Sequence, residues 1–251
     1  MKKIIFLFLL LPYCLIAQSG GKLFQYSTIG ALMNGNYDGG VSFKELSGKG
    51  NFGIGTLDNL DGEMIALDAV FYQITDKGKV QEIPQNKETP FAILTFFNSE
   101  KTIHISNKVT NSGLEAIITE LLDETSYPVA IKITGEFESI KTRSVPAQKR
   151  PFPTLSEAVK KQTVFNYSNV KGTLVGFYFP KYFEGINVPG FHFHFLSDDK
   201  TKGGHAMEYV VVNPKIIPNF CTSIDLKLLD KFENGKTTGS PDLKELEKIE
   251  K

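Results

Sequence analysis

The chain has 251 residues, and its 28 Lys plus Arg balance its 28 Asp plus Glu. No stripe interleaves basic with aromatic residues, so the composition argues against nucleic acid as a partner and favours a small molecule. Twenty Phe and nine Tyr supply the bulk of a large core.

The first segment, Met1-Lys2-Lys3 followed by an apolar run over 4–11 and by Ala17, has the charged start, apolar centre and small residue of a secretory leader. Residues 1–17 are therefore read as a signal peptide, with the mature chain starting near Gln18 and exported to the periplasm or the medium. A bulky Pro12-Tyr13 before Cys14 argues against a lipid anchor. The apolar run is too short to cross a bilayer and no later segment spans one, so no membrane contact is expected after cleavage. Loss of Cys14 leaves Cys221 alone and no intramolecular disulfide.

Runs rich in β-branched and aromatic residues predict strands over 53–56, 63–74, 91–97, 129–137, 173–179, 190–196 and 209–212. Asp76-Lys77-Gly78-Lys79 reads as a hairpin connection between 71–74 and 80–83. Helical periodicity is confined to 112–122, 154–165 and a tail from Asp242. Thr154 and Glu157 have the spacing of a capping box. The polar, proline-bearing stretch 146–153 interrupts the pattern and suggests a boundary between sheet domains at 18–146 and 147–251, the second ending in a charged tail.

Three of the four histidines fall within fourteen residues, in Gly190-Phe191-His192-Phe193-His194-Phe195-Leu196 and Gly203-Gly204-His205. Strand alternation turns His192 and His194 to one face and the phenylalanines to the other. The polar segment over 197–204 can turn the chain and bring His205 back beside them on a strand over 206–212. Three neutral imidazoles converging on one point form the ligand set of an open catalytic zinc site. Imidazole also suits copper, iron, nickel and cobalt. His104, isolated in Lys101-Thr102-Ile103-His104-Ile105, reads as an ordinary hydrogen-bonded histidine.

Four further segments carry a resemblance. Residues Ser27-Thr28-Ile29-Gly30-Ala31-Leu32-Met33-Asn34-Gly35-Asn36-Tyr37-Asp38-Gly39, Gly55-Thr56-Leu57-Asp58-Asn59-Leu60-Asp61-Gly62-Glu63-Met64, Lys141-Thr142-Arg143-Ser144-Val145-Pro146 and Gly185-Ile186-Asn187-Val188-Pro189-Gly190 occur in order and lead into the histidines. Together they resemble the α-acetolactate decarboxylase family from about Leu23 to the C-terminus. The resemblance implies an α/β fold of α+β character, two domains on mixed β-sheets with few helices, usually a homodimer, with the metal site on a β-hairpin of the second half. It implies Zn2+ held by His192, His194 and His205, catalytic roles for Glu63 and Arg143, and substrate binding by Thr56 and Arg143. It also implies a glutamate from the C-terminal tail near the metal, for which Glu250 fits best, beside Glu245 and Glu247. Gly35, Gly39, Gly40 and Gly62 read as turn-formers.

The implied reaction suits these groups. Acetolactate, 2-hydroxy-2-methyl-3-oxobutanoate, has a ketone β to its carboxylate, so loss of CO2 leaves an enediolate and, after protonation, acetoin. Zinc can chelate the ketone and hydroxyl oxygens and stabilise the developing charge. The chain has no Gly-rich phosphate loop and no lysine in a Schiff-base motif, in keeping with chemistry that needs neither thiamine nor pyridoxal. Arg143 offers a planar fork to a carboxylate or enediolate oxygen, and Glu63 is a candidate acid/base for the proton. Two alternatives stand beside this reading. Pro189-Gly190-Phe191-His192-Phe193-His194 resembles half of a cupin metal motif, although His205 follows too closely. A non-catalytic exported metal- or ligand-binding module would need the histidines but not Glu63 and Arg143.

Overall fold

A computed structural model of the protein describes residues 21–99, 101–122 and 127–230. The leader over 1–17, the tail helix predicted from Asp242, and Glu245, Glu247 and Glu250 lie outside the described residues. Sheet dominates. The N-terminal half contains β1 (Gly21–Tyr26), α1 (Ile29–Met33), β2 (Val41–Ser42), α2 (Phe43–Leu46), β3 (Phe52–Thr56), β4 (Glu63–Leu67), β5 (Val70–Ile74), β6 (Val80–Glu82), β7 (Glu88–Thr89) and β8 (Ala92–Thr95). Five of these strands follow β1 in the order β8-β3-β4-β5-β6, all antiparallel. The run predicted as one strand over 63–74 is a hairpin instead. Asp68 and Ala69 take left-handed φ values of 52° and 68° and fold β5 back on β4. Paired left-handed residues suit the twist of a two-residue hairpin, but Asp-Ala lacks the glycine that makes such turns recognisable.

The remainder contains β9 (Ile103–His104), β10 (Lys108–Thr110), α3 (Asn111–Leu122), β11 (Val129–Ser144), α4 (Leu155–Ala158), β12 (Thr163–Phe179), β13 (Gly190–Ser197) and β14 (Gly203–Lys227). The pairings β11–β12, β12–β13, β13–β14 and β14–β11 close four strands into a ring. The far end of β14 then pairs in parallel with β1, so this strand joins the ring to the open sheet. The mixed sheet with few helices is the α+β arrangement that the resemblance implies.

Three strands outrun their predictions, for a common reason. Asn213 and Pro214 interrupt the apolar pattern of β14, yet the chain absorbs them in an irregularity: Val212 pairs with Glu136 and Lys215 with Thr134, leaving the pair between them outside the ladder. A bulge tolerates proline because no ladder donor is required there. Polar residues likewise obscure the outer halves of β11 and β12: in β12 they are largely exposed, whereas Thr142, Arg143 and Ser144 at the end of β11 are buried. The helix predicted over 154–165 is much shorter. Thr154 and Glu157 do form the capping box, but α4 ends at Ala158, one 3-10 turn follows over Val159–Lys161, and the chain is in β12 from Thr163. Thr163 and Val164, with β-branched side chains, pair with Ser144 and Arg143 of β11, and these ladder bonds outweigh the helical pattern.

The core has three clusters. One lies between ring and open sheet and includes Leu23, Ile54, Ile65, Val175 and Phe177. In the second, α3 places Leu114, Ile118 and Leu122, spaced by four, against β11 and β14. Phe193 and Phe195 join that cluster, with Phe191 partly buried at its margin. The third packs Val41, Phe43 and Leu46 against Met64, Ala66 and Leu94. Cys221 is buried with a free thiol, and burial raises its pKa. His104 is exposed on β9. Among the described residues, no helix is long and apolar enough to cross a membrane.

Candidate active site

Alternation along β13 puts the phenylalanines into the second core cluster, so His192 and His194 must face the other way. Both are buried. The turn after β13 is held by side chains: the Ser197 hydroxyl donates to Asp199 Oδ1 at 2.6 Å, and the same carboxylate accepts from the Thr201 backbone and hydroxyl. These contacts and the nearby Lys202 hold the Asp199 carboxyl down to about 2. The chain returns with Gly203 opposite Leu196 and His205 opposite His194. Gly204 is required here by its φ of 132° and by space, because a Cβ would sit 2.6 Å from the Arg143 carbonyl oxygen. That close approach sets His205 directly across the ladder from Arg143. The metal-ligating hairpin and the arginine strand are therefore tied by register.

The three ring centroids stand 4.8 to 5.4 Å apart, and one ligand nitrogen from each ring lies within 4.8 Å of the others. His192 Nε2 and His205 Nδ1 are 3.2 Å apart. His194 Nδ1 is 2.9 Å from the Met64 carbonyl oxygen. A carbonyl can only accept, so Nδ1 carries the proton and the Nε2 lone pair of His194 is left for the cluster, the arrangement typical of metal-bound histidine. Burial and the charge of Arg143 push His192 down to about 3. Burial foremost, with the neighbouring His192, keeps His194 well below its ordinary value. His192 and His194 are therefore neutral, which is the form that binds a metal. The donor set and its backbone support fit a divalent ion held by imidazole nitrogens.

The first half of the chain completes the site. Glu63 opens β4 opposite Thr56 at the end of β3, and its Oε2 lies 3.5 Å from His194 Nε2. With His194 neutral this is a polar contact and not an ion pair. Gly62, with φ of 82°, brings Glu63 in, and a Cβ there would collide with the Ile74 carbonyl. The preceding residues Asn59 and Leu60 also adopt left-handed φ values, 62° and 59°. Such conformations cost energy in non-glycine residues and gather at functional sites. The Thr56 hydroxyl donates to the Gly62 carbonyl at 2.7 Å, so toward a ligand it offers its oxygen lone pairs. Arg143 is buried near the end of β11 and its Nη1 donates to Gln162 Oε1 at 3.1 Å.

These groups share one pocket. Thr56, Glu63, Arg143 and the three histidines line it together with an apolar wall from Ile29 and Leu32 of α1, Leu60, Phe91, Val145, Leu155 and Val159. All the predicted site residues within the described chain are brought together there. Sequence reasoning missed Gln162, the Met64 carbonyl and the apolar wall. Ile29, Leu32, Leu60 and Val145 of the wall fell within the motifs of the resemblance, Phe91, Leu155 and Val159 in none, and no pattern marks a backbone carbonyl. Gln162 fell inside a predicted helix, where it would have had no relation to Arg143.

Residues 23–236 match the family model described as Alpha-acetolactate decarboxylase. The chain is 42% identical over 218 residues to the alpha-acetolactate decarboxylase of Brevibacillus brevis, covering 86% of this chain and 76% of that protein. It is 41% identical over 192 residues to that of Methylococcus capsulatus, covering 76% and 74%. The crystal structure of alpha-acetolactate decarboxylase from Bacillus subtilis strain 168 aligns with a TM-score of 0.88 at 36% identity, over 91% of this chain and 99% of that one.

Proposed function

The chain belongs to the alpha-acetolactate decarboxylase family of carboxy-lyases, and from that premise we propose that it converts 2-acetolactate to acetoin and CO2 with Zn2+ held by His192, His194 and His205. The observation that carries the proposal is the meeting of three buried imidazoles with Glu63 and Arg143 in one pocket. Family membership sets aside the cupin and ligand-capture readings.

Zinc, held by His192, His194 and His205, would supply Lewis acidity that stabilises the negative charge developing on the substrate oxygens. Arg143 presents its guanidinium to the substrate carboxylate, whose planar geometry its fork matches. The apolar wall receives the two methyl groups and excludes water. When the C–C bond to the carboxylate breaks, CO2 leaves and the electron pair passes into the ketone as an enediolate. One proton must then reach the former carboxyl-bearing carbon. Glu63, in its protonated form, donates it from a carboxyl oxygen and recovers it from solvent, so that the sum is acetolactate anion plus one proton to acetoin plus CO2. Thr56 contributes lone pairs that accept from the substrate hydroxyl. We place Glu250 of the tail near the metal, the homodimer, and export through the leader over 1–17 within the same proposal, supported by the family resemblance and the composition of the leader.

Metal analysis tests the ligand assignment. Purified wild-type protein is expected to hold one zinc per chain, and His194→Ala and His205→Ala to lose it while Glu63→Gln keeps it. Full zinc retention in both histidine variants would refute the ligand set.

A further inference from the structure

We infer that Gln162 is a positioning residue that holds the Arg143 guanidinium at the angle needed to receive an anionic substrate without itself placing a negative charge beside it. The inference rests on the decarboxylase reading above. Its basis is the 3.1 Å hydrogen bond from Arg143 Nη1 to Gln162 Oε1 and the local structure that produces it. Val164 is the ladder partner of Arg143. Gln162 precedes it by two residues, and its φ of −61° and ψ of 146° are extended, so its side chain emerges on the face of Arg143 at the diagonal position that long side chains span. The 3-10 turn over Val159–Lys161 fixes the backbone, with the Gln162 amide donating to the Val159 carbonyl at 3.0 Å. The same turn lends Val159 to the pocket wall. Early termination of the predicted helix thus delivers both a wall residue and the arginine's acceptor.

The chemical identity of the acceptor matters. An arginine side chain has several rotatable bonds, and a fixed, half-buried acceptor removes freedom that binding would otherwise have to freeze. A carboxylate would hold it equally well but would neutralise the charge that attracts the substrate anion. An amide oxygen orients the fork without that loss. The effect belongs to anion recognition, and it should not extend to uncharged ligands of the same pocket.

Two near-isosteric variants separate these roles. Gln162→Met keeps length and volume but removes the acceptor, and Gln162→Glu keeps the acceptor but adds a charge. Calorimetry on zinc-loaded protein would use 2-hydroxy-2-methylbutanoate as an unreactive anion and meso-2,3-butanediol as a neutral diol. Each variant is expected to bind the anion about tenfold more weakly, the scale of one charge-assisted hydrogen bond, with the diol unchanged. In an Arg143→Lys background the Gln162→Met change should add little, because the residues act as one unit. Anion affinity within about twofold of wild type in both variants, or parallel loss for anion and diol, would overturn the inference. Failure of the wild type to release acetoin would instead refute the reaction itself, so the two are distinguishable.

Discussion

Glu63 and His194 meet at 3.5 Å as a carboxyl group and a neutral ring, and that pairing has consequences which can be measured residue by residue. If Glu63 supplies the proton, Glu63→Gln should lower kcat by about 100-fold or more while zinc content is unchanged, the scale of a lost general acid. Turnover within a few-fold of wild type would transfer the role elsewhere. The histidines also make an acid-sensitivity prediction. The folded-state pKa values of His192 and His194 lie below the unfolded value of about 6.5, with His192 pushed down to about 3. Between those limits the unfolded chain binds protons that the folded chain refuses. Metal-free protein therefore keeps this contribution intact above about pH 6.5 and loses stability as the pH falls toward 3. Urea midpoints across that range should fall less steeply in His194→Gln than in wild type, and equal slopes would contradict the assignment. At this scale the sequence was most informative where chemistry follows alternation. His192 and His194 could be placed on one face because Phe191, Phe193 and Phe195 had to occupy the other. Glu63, Arg143 and Thr56 were legible only through the family motifs, since an acid at a strand start and an arginine at a strand end are ordinarily solvated. Nothing in the local pattern disclosed Gln162.

Elements place these residues through a few tight connections. The motif over 185–190 is one of them. The buried Gln25 side chain donates to the carbonyls of Ser27 and Ile186 and accepts from Asn187 Nδ2, all at 2.8 Å. The Ile29 and Gly30 amides at the start of α1 donate to the Ile186 and Gly185 carbonyls. The segment leading into the histidine strand is thereby fastened to the helix that carries Ile29 and Leu32 of the pocket. Asn187→Ala would orphan a buried amide and cost about 1–3 kcal/mol. A denaturation midpoint matching wild type would show that the contact is not needed for stability. The β4–β5 hairpin makes a prediction of opposite sign. Ala69 has φ of 68°, which glycine adopts without strain. Ala69→Gly is expected to stabilise the protein by roughly 0.5–1 kcal/mol, and a lowered melting temperature would contradict it. These elements also show why boundaries were harder to read than element types. The capping box at Thr154 was visible, but the point where α4 ends depended on Thr163 and Val164 finding β11, a contact distant in sequence.

In the whole molecule, β14 is the member that unites the parts. Its first residues carry His205 into the ring, its middle pairs with β11, and its last residues pair in parallel with β1. The acid from β4 and the histidines from β13 and β14 meet because the two sheet regions face each other across the first core cluster. Mixed sheet with few helices was legible from strand frequency and from the resemblance. The closed ring was not, because it depends on pairings between segments that Asn213 and Pro214 make look separate. The central claim is that this architecture decarboxylates acetolactate by means of a metal. Its most direct test is acetoin and CO2 release from racemic acetolactate by purified protein, before and after chelation and again with zinc restored. Equal amounts of acetoin and CO2, abolished by the chelator and recovered with zinc, are the predicted result. Undiminished release from protein stripped of all metal would contradict it.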